Sequence, residues 1–64
     1  MMSLQYGIEM KEWLIHEIEI AKRNGKDYLL VDENRLSRED VNVIRAAGYY
    51  VGYRSSHMSY IIKW

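Results

Sequence analysis

The clearest pattern of apolar and polar residues lies in the middle of the chain. Ser37 is suited to cap a helix because its hydroxyl can accept a hydrogen bond from the backbone N–H of Asp40. Asp40 occupies the position of the acidic residue in a capping box. Gly48 can take the left-handed conformation that ends a helix. The pattern therefore predicts a helix over residues 37–47. The apolar residues that recur there at helical spacing are Val41, Ile44 and Ala47.

A second helical pattern precedes it, over residues 8–24, and Asn24-Gly25 ends it. Either Ser3 or Gly7 could cap its start, and the pattern does not choose between them. One broad face of this helix is apolar and is expected to pack on the rest of the domain. That face consists of Ile8, Met10, Leu14, Ile15, Ile18 and Ala21.

Trp13 and Ile20 lie together on a flank outside this apolar face. Two interpretations remain open for them. Either the sheet wraps far enough to cover the flank, or the flank meets a second subunit or another protein. Tryptophan is over-represented among the residues that dominate interface energies, which supports the second interpretation.

Three short strands are predicted from the remaining apolar runs. Residues 28–31 form a run that does not alternate, which is typical of a strand covered on both faces, as in a central or interface strand. Residues 49–54 and 57–64 alternate and form a hairpin with its turn at Ser55-Ser56 or with a four-residue loop of residues 54–57. One face of the hairpin then holds Tyr49, Val51, Tyr53, Met58, Tyr60, Ile62 and Trp64. The other face holds Tyr50, Gly52, Arg54, His57, Ser59, Ile61 and Lys63.

The order of these elements is helix, strand, helix, strand, strand, within one domain of residues 1–64. Ile61 and Ile62 are apolar on both faces of the last strand, so this strand is expected in the middle of the sheet. The predicted fold is a two-layer α+β domain of type αβαββ. Two helices pack on one face of a three-stranded sheet of order β1-β3-β2.

The composition indicates how such a small domain becomes stable. A 64-residue chain is expected to have a margin of only about 3–5 kcal/mol, and it has no cysteine for a disulfide or a thiolate metal site. Self-association, most simply a homodimer, is the remaining means of adding stability. The net charge is zero, and neither a signal peptide nor a membrane-spanning run is visible, so we expect an intracellular, cytoplasmic protein without membrane attachment.

No catalytic set emerges from the residue types that could do chemistry. Glu12 and His16 are spaced for two metal ligands on a helix, but two ligands are too few. His57 follows Ser56, yet neighbours in sequence do not form a nucleophile–base pair, and no third group is indicated to orient the histidine. We therefore predict a non-enzymatic protein with no cofactor and no bound metal.

The outer face of the hairpin offers an alternative function. It combines aromatic and basic residues, which can stack bases and contact phosphates. The layout looks like a shortened winged helix, although residues 33–48 leave room for only one helix between the first two strands, and zero net charge speaks against nucleic acid. The residues of this alternative are Arg54 and Lys63 on the hairpin, and Arg38 and Arg45 on the central helix, which could likewise face DNA.

The segments Leu36-Ser37…Val41…Ile44-Arg45…Gly48-Tyr49-Tyr50-Val51 and Tyr60-Ile61-Ile62-Lys63-Trp64 resemble small uncharacterised proteins of tailed bacteriophages. The resemblance covers the C-terminal half and rests on a helix that ends in Gly-Tyr-x-Val and on a last strand that ends in Trp. It implies action by binding, since phage proteins of this size often block a host or defence protein as oligomers. The leading hypothesis is such an interaction module. The residues expected to form its interface are Trp13, Ile20, Tyr50, Arg54 and Ile61.

Overall fold

The computed structural model describes residues 10–64, which form two helices and a three-stranded antiparallel sheet of order β1-β3-β2. This is the predicted α+β fold, with both helices on one face of the sheet. The elements in chain order are α1 (Glu12–Arg23), β1 (Tyr28–Asp32), a 3-10 turn (Glu33–Arg35), α2 (Arg38–Ala46), β2 (Tyr50–Arg54) and β3 (Ser59–Lys63).

The start of α2 is fixed by a reciprocal capping box, as predicted. The backbone N–H of Asp40 donates to Ser37 Oγ at 3.1 Å, and the backbone N–H of Ser37 donates to Asp40 Oδ2 at 3.0 Å. The hydrogen bond from the Ser37 backbone is the main reason that the pKa of Asp40 lies below its ordinary value. Lys11 Nζ lies 3.4 Å from the same carboxylate oxygen and therefore ties α1 to this cap.

Both helices end in the same way, at a glycine with positive φ. Gly25 has a φ of +79° and Gly48 has a φ of +100°. After α2, the N–H of Tyr49 donates to the carbonyl of Ile44 at 3.3 Å. After α1, the N–H of Lys26 donates to Ala21 at 3.0 Å. These are the long bonds of two Schellman motifs, so both predicted helix ends are confirmed.

The start of α1 differs from the prediction. The helix begins at Glu12 after an N-cap at Lys11, whose side chain makes no capping bond, so Met10 and Lys11 are not helical. Met10 nevertheless packs against the core. Apolar residues at helical spacing therefore continue past the helix and do not mark its start. Ser3 and Gly7, the predicted caps, lie outside the described residues.

The predicted hairpin register was wrong by two residues. Arg54 pairs with Ser59 and Tyr50 pairs with Lys63, and Ser55–Met58 form a four-residue loop. Met58 closes this loop with a φ of +50°, a conformation that its residue type does not suggest. Because side chains alternate with a period of two, a two-residue shift keeps the strand residues on their predicted faces. His57 and Met58 leave the strand and lie in the loop.

The core lies between the helices and one face of the sheet. Ile62 in the central strand is fully buried and pairs with Leu29 of β1 and Val51 of β2. Ile44 of α2 is equally buried, at 0% exposure. The buried residues of this core are Leu14, Ile18, Ala21, Val31, Leu36, Val41, Ile44, Val51 and Ile62.

Candidate interaction surface

One face of the sheet carries no helix from the described residues, and we call it the open face. The register places its side chains in three rows that cross the sheet from β1 through β3 to β2. The first row is Tyr28, Lys63 and Tyr50. The second row is Leu30, Ile61 and Gly52. The third row is Asp32, Ser59 and Arg54.

The middle of the open face is apolar. Leu30 is 41% exposed and lies beside Ile61, which is half-buried. An antiparallel sheet with one covered face normally presents polar side chains on the other. The second row departs from this rule, and the two tyrosines of the first row extend the apolar area. The open face is therefore an exposed sheet surface with an apolar middle.

The Tyr50 ring extends over Gly52 on the open face, where the glycine has no side chain to displace it. A Cβ atom built at Gly52 would lie 2.8 Å from Tyr50 Oη and 3.1 Å from a ring carbon, which shows that the ring covers this position. Tyr50 is still 61% exposed. The glycine thus leaves room for the exposed Tyr50 ring on the open face, where a partner could stack or pack against it.

The charges of the open face surround its apolar middle. A depression of about 360 Å³ spans from β1 to the end of β2, with Leu30 and Ile61 in its floor. Arg54, Lys63, His57 and Asp27 also line it, so its rim carries two cationic side chains, a histidine and one carboxylate. An apolar centre with a charged rim is the usual anatomy of a protein interface.

The structure brings together three of the five predicted interface residues. Tyr50, Arg54 and Ile61 all lie on the open face. Trp13 and Ile20 lie on α1, on the covered side of the sheet, and so belong to a different surface. The contributions of Tyr28 and Leu30 from β1 were not predicted from the sequence. The signal that could have found them is the lack of alternation in that strand, which places a leucine on each face.

Trp13 is partly covered by its own chain. It packs against the core, and the Cζ atom of Arg35 lies 4.1 Å from the centroid of its ring. Arg35 Nη2 is held 3.2 Å from Glu17 Oε2, which fixes the guanidinium over the indole. The 3-10 turn that supplies Arg35 was not predicted. Trp13 is therefore half-buried and is a weaker interface candidate than the sequence suggests.

Ile20 borders a second apolar surface, which we call the edge groove. This groove has a volume of about 430 Å³ and runs between α1 and the free edge of β1. Ile20 is 40% exposed in it. The lining residues are Glu17, Ile20, Ala21, Asn24, Lys26, Tyr28, Leu29 and Leu30. Tyr28 and Leu30 belong to both surfaces, so the edge groove continues around β1 onto the open face.

The residues of the nucleic-acid alternative fall into two groups. Arg54 and Lys63 lie on the open face, with Tyr28 and Tyr50 beside Lys63. Arg38 and Arg45 lie on α2, on the covered side of the sheet. Arg45 Nη2 also donates to the carbonyl of Val51 at 3.1 Å. One nucleic-acid strand on the open face would therefore contact only the first pair.

The polar side chains elsewhere make structural contacts. His57 Nδ1 lies 3.0 Å from Ser56 Oγ in the exposed hairpin loop. The hydroxyl of Tyr53 donates to the carboxylate of Glu33, and this bond raises the pKa of Tyr53. Among residues 10–64, no group of three or more histidine, aspartate or glutamate side chains could hold a metal ion.

Comparisons of the chain with protein-family models, curated proteins and solved structures found no match. Neither described helix is both long enough and apolar enough to cross a membrane. The surfaces described above are therefore the basis for a functional proposal.

Proposed function

We propose that this chain is a non-enzymatic protein–protein interaction module that binds another protein through the open face. The observation that carries the proposal is the apolar row of exposed Leu30 and half-buried Ile61, flanked by Tyr28 and Tyr50, on a sheet face that no described helix covers. Tyrosines suit such a surface because their rings bury apolar area while their hydroxyls remain at the wet edge.

The rim of the open face favours a partner with an acidic patch beside an apolar one. Arg54 and Lys63 stand on either side of Ile61, on β2 and at the end of β3, and His57 lies near them. The opposing charges are Asp27, which lines the same depression, and Asp32, at the corner of the face next to Ser59. Rim charges of this kind mainly steer association and set its orientation, while the apolar centre supplies most of the affinity.

The kind of partner is proposed from the sequence resemblance. Small proteins of tailed bacteriophages that resemble this chain suggest a host or defence protein as the target, bound and inhibited or modulated in the host cytoplasm. We further propose that the active form is a homodimer, since 64 residues give a thin margin of stability.

The proposal is tested by capture from host-cell lysate with the immobilised chain, followed by mass spectrometry. Tyr50→Lys places a charge on the exposed ring position of the open face, and Asn42→Lys adds the same charge at an exposed position of α2. A partner captured by the wild type and by Asn42→Lys, but at least about tenfold less by Tyr50→Lys, supports the proposal. Equal capture by all three chains contradicts a role for the open face.

A second candidate function is single-stranded nucleic-acid binding by the same face. The arrangement that favours it is Lys63 between Tyr28 and Tyr50, because aromatic rings can stack bases beside a cation that contacts phosphate. Binding to an oligonucleotide that weakens with salt and is lost in Lys63→Gln would support this function. Absence of binding at low salt would end it.

A further inference from the structure

One side of the β1 backbone has no partner among residues 10–64, and two hydrogen bonds show which side it is. The N–H of Glu33 donates to the carbonyl of Met58 at 3.0 Å, and the N–H of Trp64 donates to the carbonyl of Asp27 at 3.3 Å. Both bonds continue the β1–β3 register. Hydrogen-bonded pairs alternate in an antiparallel ladder. The backbone N–H and C=O groups of the odd-numbered β1 residues therefore point toward β3, and those of the even-numbered residues point away from it. The residues that face away are Tyr28, Leu30 and Asp32.

These outward groups are unused within the described part of the chain. Among residues 10–64, no hydrogen bond reaches the outward N–H and C=O of Tyr28 or Leu30. The edge groove lies directly beside them, lined by Ile20, Leu29 and Leu30. A bare strand edge next to an apolar groove is a template for a further strand.

The other edge of the sheet is partly protected, at one carbonyl. By the same alternation, Val51 and Tyr53 direct their backbone groups away from β3. The outward carbonyl of Val51 accepts the guanidinium of Arg45 at 3.1 Å in a partly buried bond. A side chain that occupies an edge carbonyl prevents a neighbouring strand from pairing there. Within the described residues, the β1 edge is thus more open to extension than the β2 edge, where one outward carbonyl is occupied.

We propose that a second copy of this chain pairs its β1 strand with this edge, antiparallel and about a two-fold axis at Leu30, to give a continuous six-stranded sheet. This inference rests on the proposed function, for which it names the dimer surface. The outward backbone groups of β1 belong to its even-numbered residues. They can form hydrogen bonds only in a register that places even-numbered residues of one copy opposite even-numbered residues of the other. With the axis at Leu30, Leu30 lies opposite Leu30 of the second copy, and Tyr28 and Asp32 of each copy lie opposite Asp32 and Tyr28 of the other.

The side chains of β1 are self-complementary in this register. Leu30 meets Leu30 of the second copy on the open face, and Leu29 meets Val31 on the helix face. Lys26 lies beyond one end of the strand and Asp32 ends the other, so the two-fold axis brings each lysine near the carboxylate of the second copy, diagonally across the pair. The chain has zero net charge, so no overall repulsion opposes the pairing.

The pairing also accounts for the exposed aliphatic residues of the edge groove. Ile20 and Leu30 are 40% and 41% exposed, and both line the groove. A strand laid against β1 covers both side chains. A continuous sheet would in addition join two open faces into one surface of six strands, which doubles the area available to a partner.

Disulfide capture tests the geometry, since the chain has no cysteine of its own. In the proposed register the two Leu30 Cα atoms are about 5.5 Å apart, within disulfide range. Leu30→Cys should therefore form a covalent dimer nearly completely under mild oxidation at micromolar concentration. Tyr50→Cys, on the same face at the protected edge, is the control and should stay monomeric on a denaturing gel. Two open faces packed against each other would separate the Leu30 positions by about 10 Å and would not cross-link them.

Proline variants test the edge by a second route. Leu30→Pro removes an N–H that points away from β3 and replaces the leucine side chain, at a position where an edge strand tolerates proline. Tyr53→Pro removes the matched outward N–H at the β2 edge. We expect the wild type and Tyr53→Pro to sediment as dimers at micromolar concentration, and Leu30→Pro to dissociate at least about tenfold more readily.

A wild type that sediments as a monomer overturns the inference, and so does a wild-type dimer in which Leu30→Cys fails to cross-link. These readings do not depend on whether Leu30→Pro folds. Partner capture by the open face is measured separately. Capture that persists in a monomeric chain would contradict only the dimer surface, whereas a cross-linked dimer that captures nothing would contradict only the proposed partner binding.

Discussion

The two free edges of the sheet differ in how their backbone groups are satisfied. At the β2 edge, Arg45 reaches from α2 to the carbonyl of Val51. At the β1 edge, no described side chain plays this part, and Tyr28, Leu30 and Ile20 leave apolar surface beside the strand. Since unprotected edges invite aggregation, natural proteins rarely leave one apolar and bare. This contrast is the basis for the proposed pairing of β1 with a second copy of the chain.

The largest loss of stability is expected on truncating Ile62 of the central strand, which lies between both edge strands. Ile62 is fully buried and pairs with Leu29 on one side and Val51 on the other. Ile62→Ala should cost about 2–5 kcal/mol of unfolding free energy, comparable to the whole margin of so small a domain. Urea denaturation followed by circular dichroism measures this loss. Ile62→Val, with a cost of about 1 kcal/mol, is the control, and a loss that small for alanine would contradict the assigned core.

Removing the protection of the β2 edge should have the next largest effect. Arg45→Ala leaves the partly buried carbonyl of Val51 without its charged donor, which should cost about 1–3 kcal/mol. Arg38→Ala, at an exposed position of the same helix, should change stability by at most about 0.5 kcal/mol. Equal urea midpoints for the two variants would show that the Arg45 contact does not contribute. Concentration-dependent association by Arg45→Ala beyond the dimer would show that the contact also guards the edge.

The capping box of α2 should make a smaller, pH-dependent contribution. Ser37→Ala should cost about 1 kcal/mol at neutral pH. The pKa of Asp40 is lowered in the folded chain, so its contribution is fully present above the pKa of the unfolded chain and is lost as the pH falls through the folded value. Thermal unfolding measured between neutral and strongly acidic pH should therefore show a shallower loss in Asp40→Asn than in the wild type. Identical acid limbs would contradict the assigned role of this carboxylate.

The smallest effect concerns the position of one ring on the open face. Gly52→Ala places a Cβ where the Tyr50 ring now lies, 2.8 Å from its hydroxyl oxygen. The exposed ring can swing away, so the stability should change by less than about 1 kcal/mol. Nuclear Overhauser contacts between the Tyr50 ring and residue 52 should weaken, while those of Tyr53 with Tyr60 should remain. Retained Tyr50 contacts would mean that the ring does not depend on the glycine.

The parts of the fold that could be predicted from the sequence are those set by local chemistry. The capping box at Ser37 and the helix ends at Gly25 and Gly48 involve residues a few positions apart, so spacing alone defines them. The faces of the hairpin residues were also predictable, because alternation sorts them.

The errors have equally local reasons. Alternation cannot distinguish registers that differ by two residues, and Met58 gave no signal of its positive φ. The 3-10 turn could have been expected from Asp32, whose carboxylate accepts the N–H of Asn34 at 2.8 Å, as aspartate often does in turns. The stacking of Arg35 on Trp13 depends on that turn and had no signal of its own.

The most direct test compares the amide exchange rates of Leu30 and Tyr53, whose N–H groups point outward at the two free edges. Both rates are measured by hydrogen exchange NMR as the chain is diluted from high to low micromolar concentration. If β1 pairs with a second copy, the Leu30 amide is protected at high concentration and loses that protection on dilution, while Tyr53 exchanges equally fast throughout. A Leu30 amide that exchanges as fast as Tyr53 at every concentration would contradict the pairing.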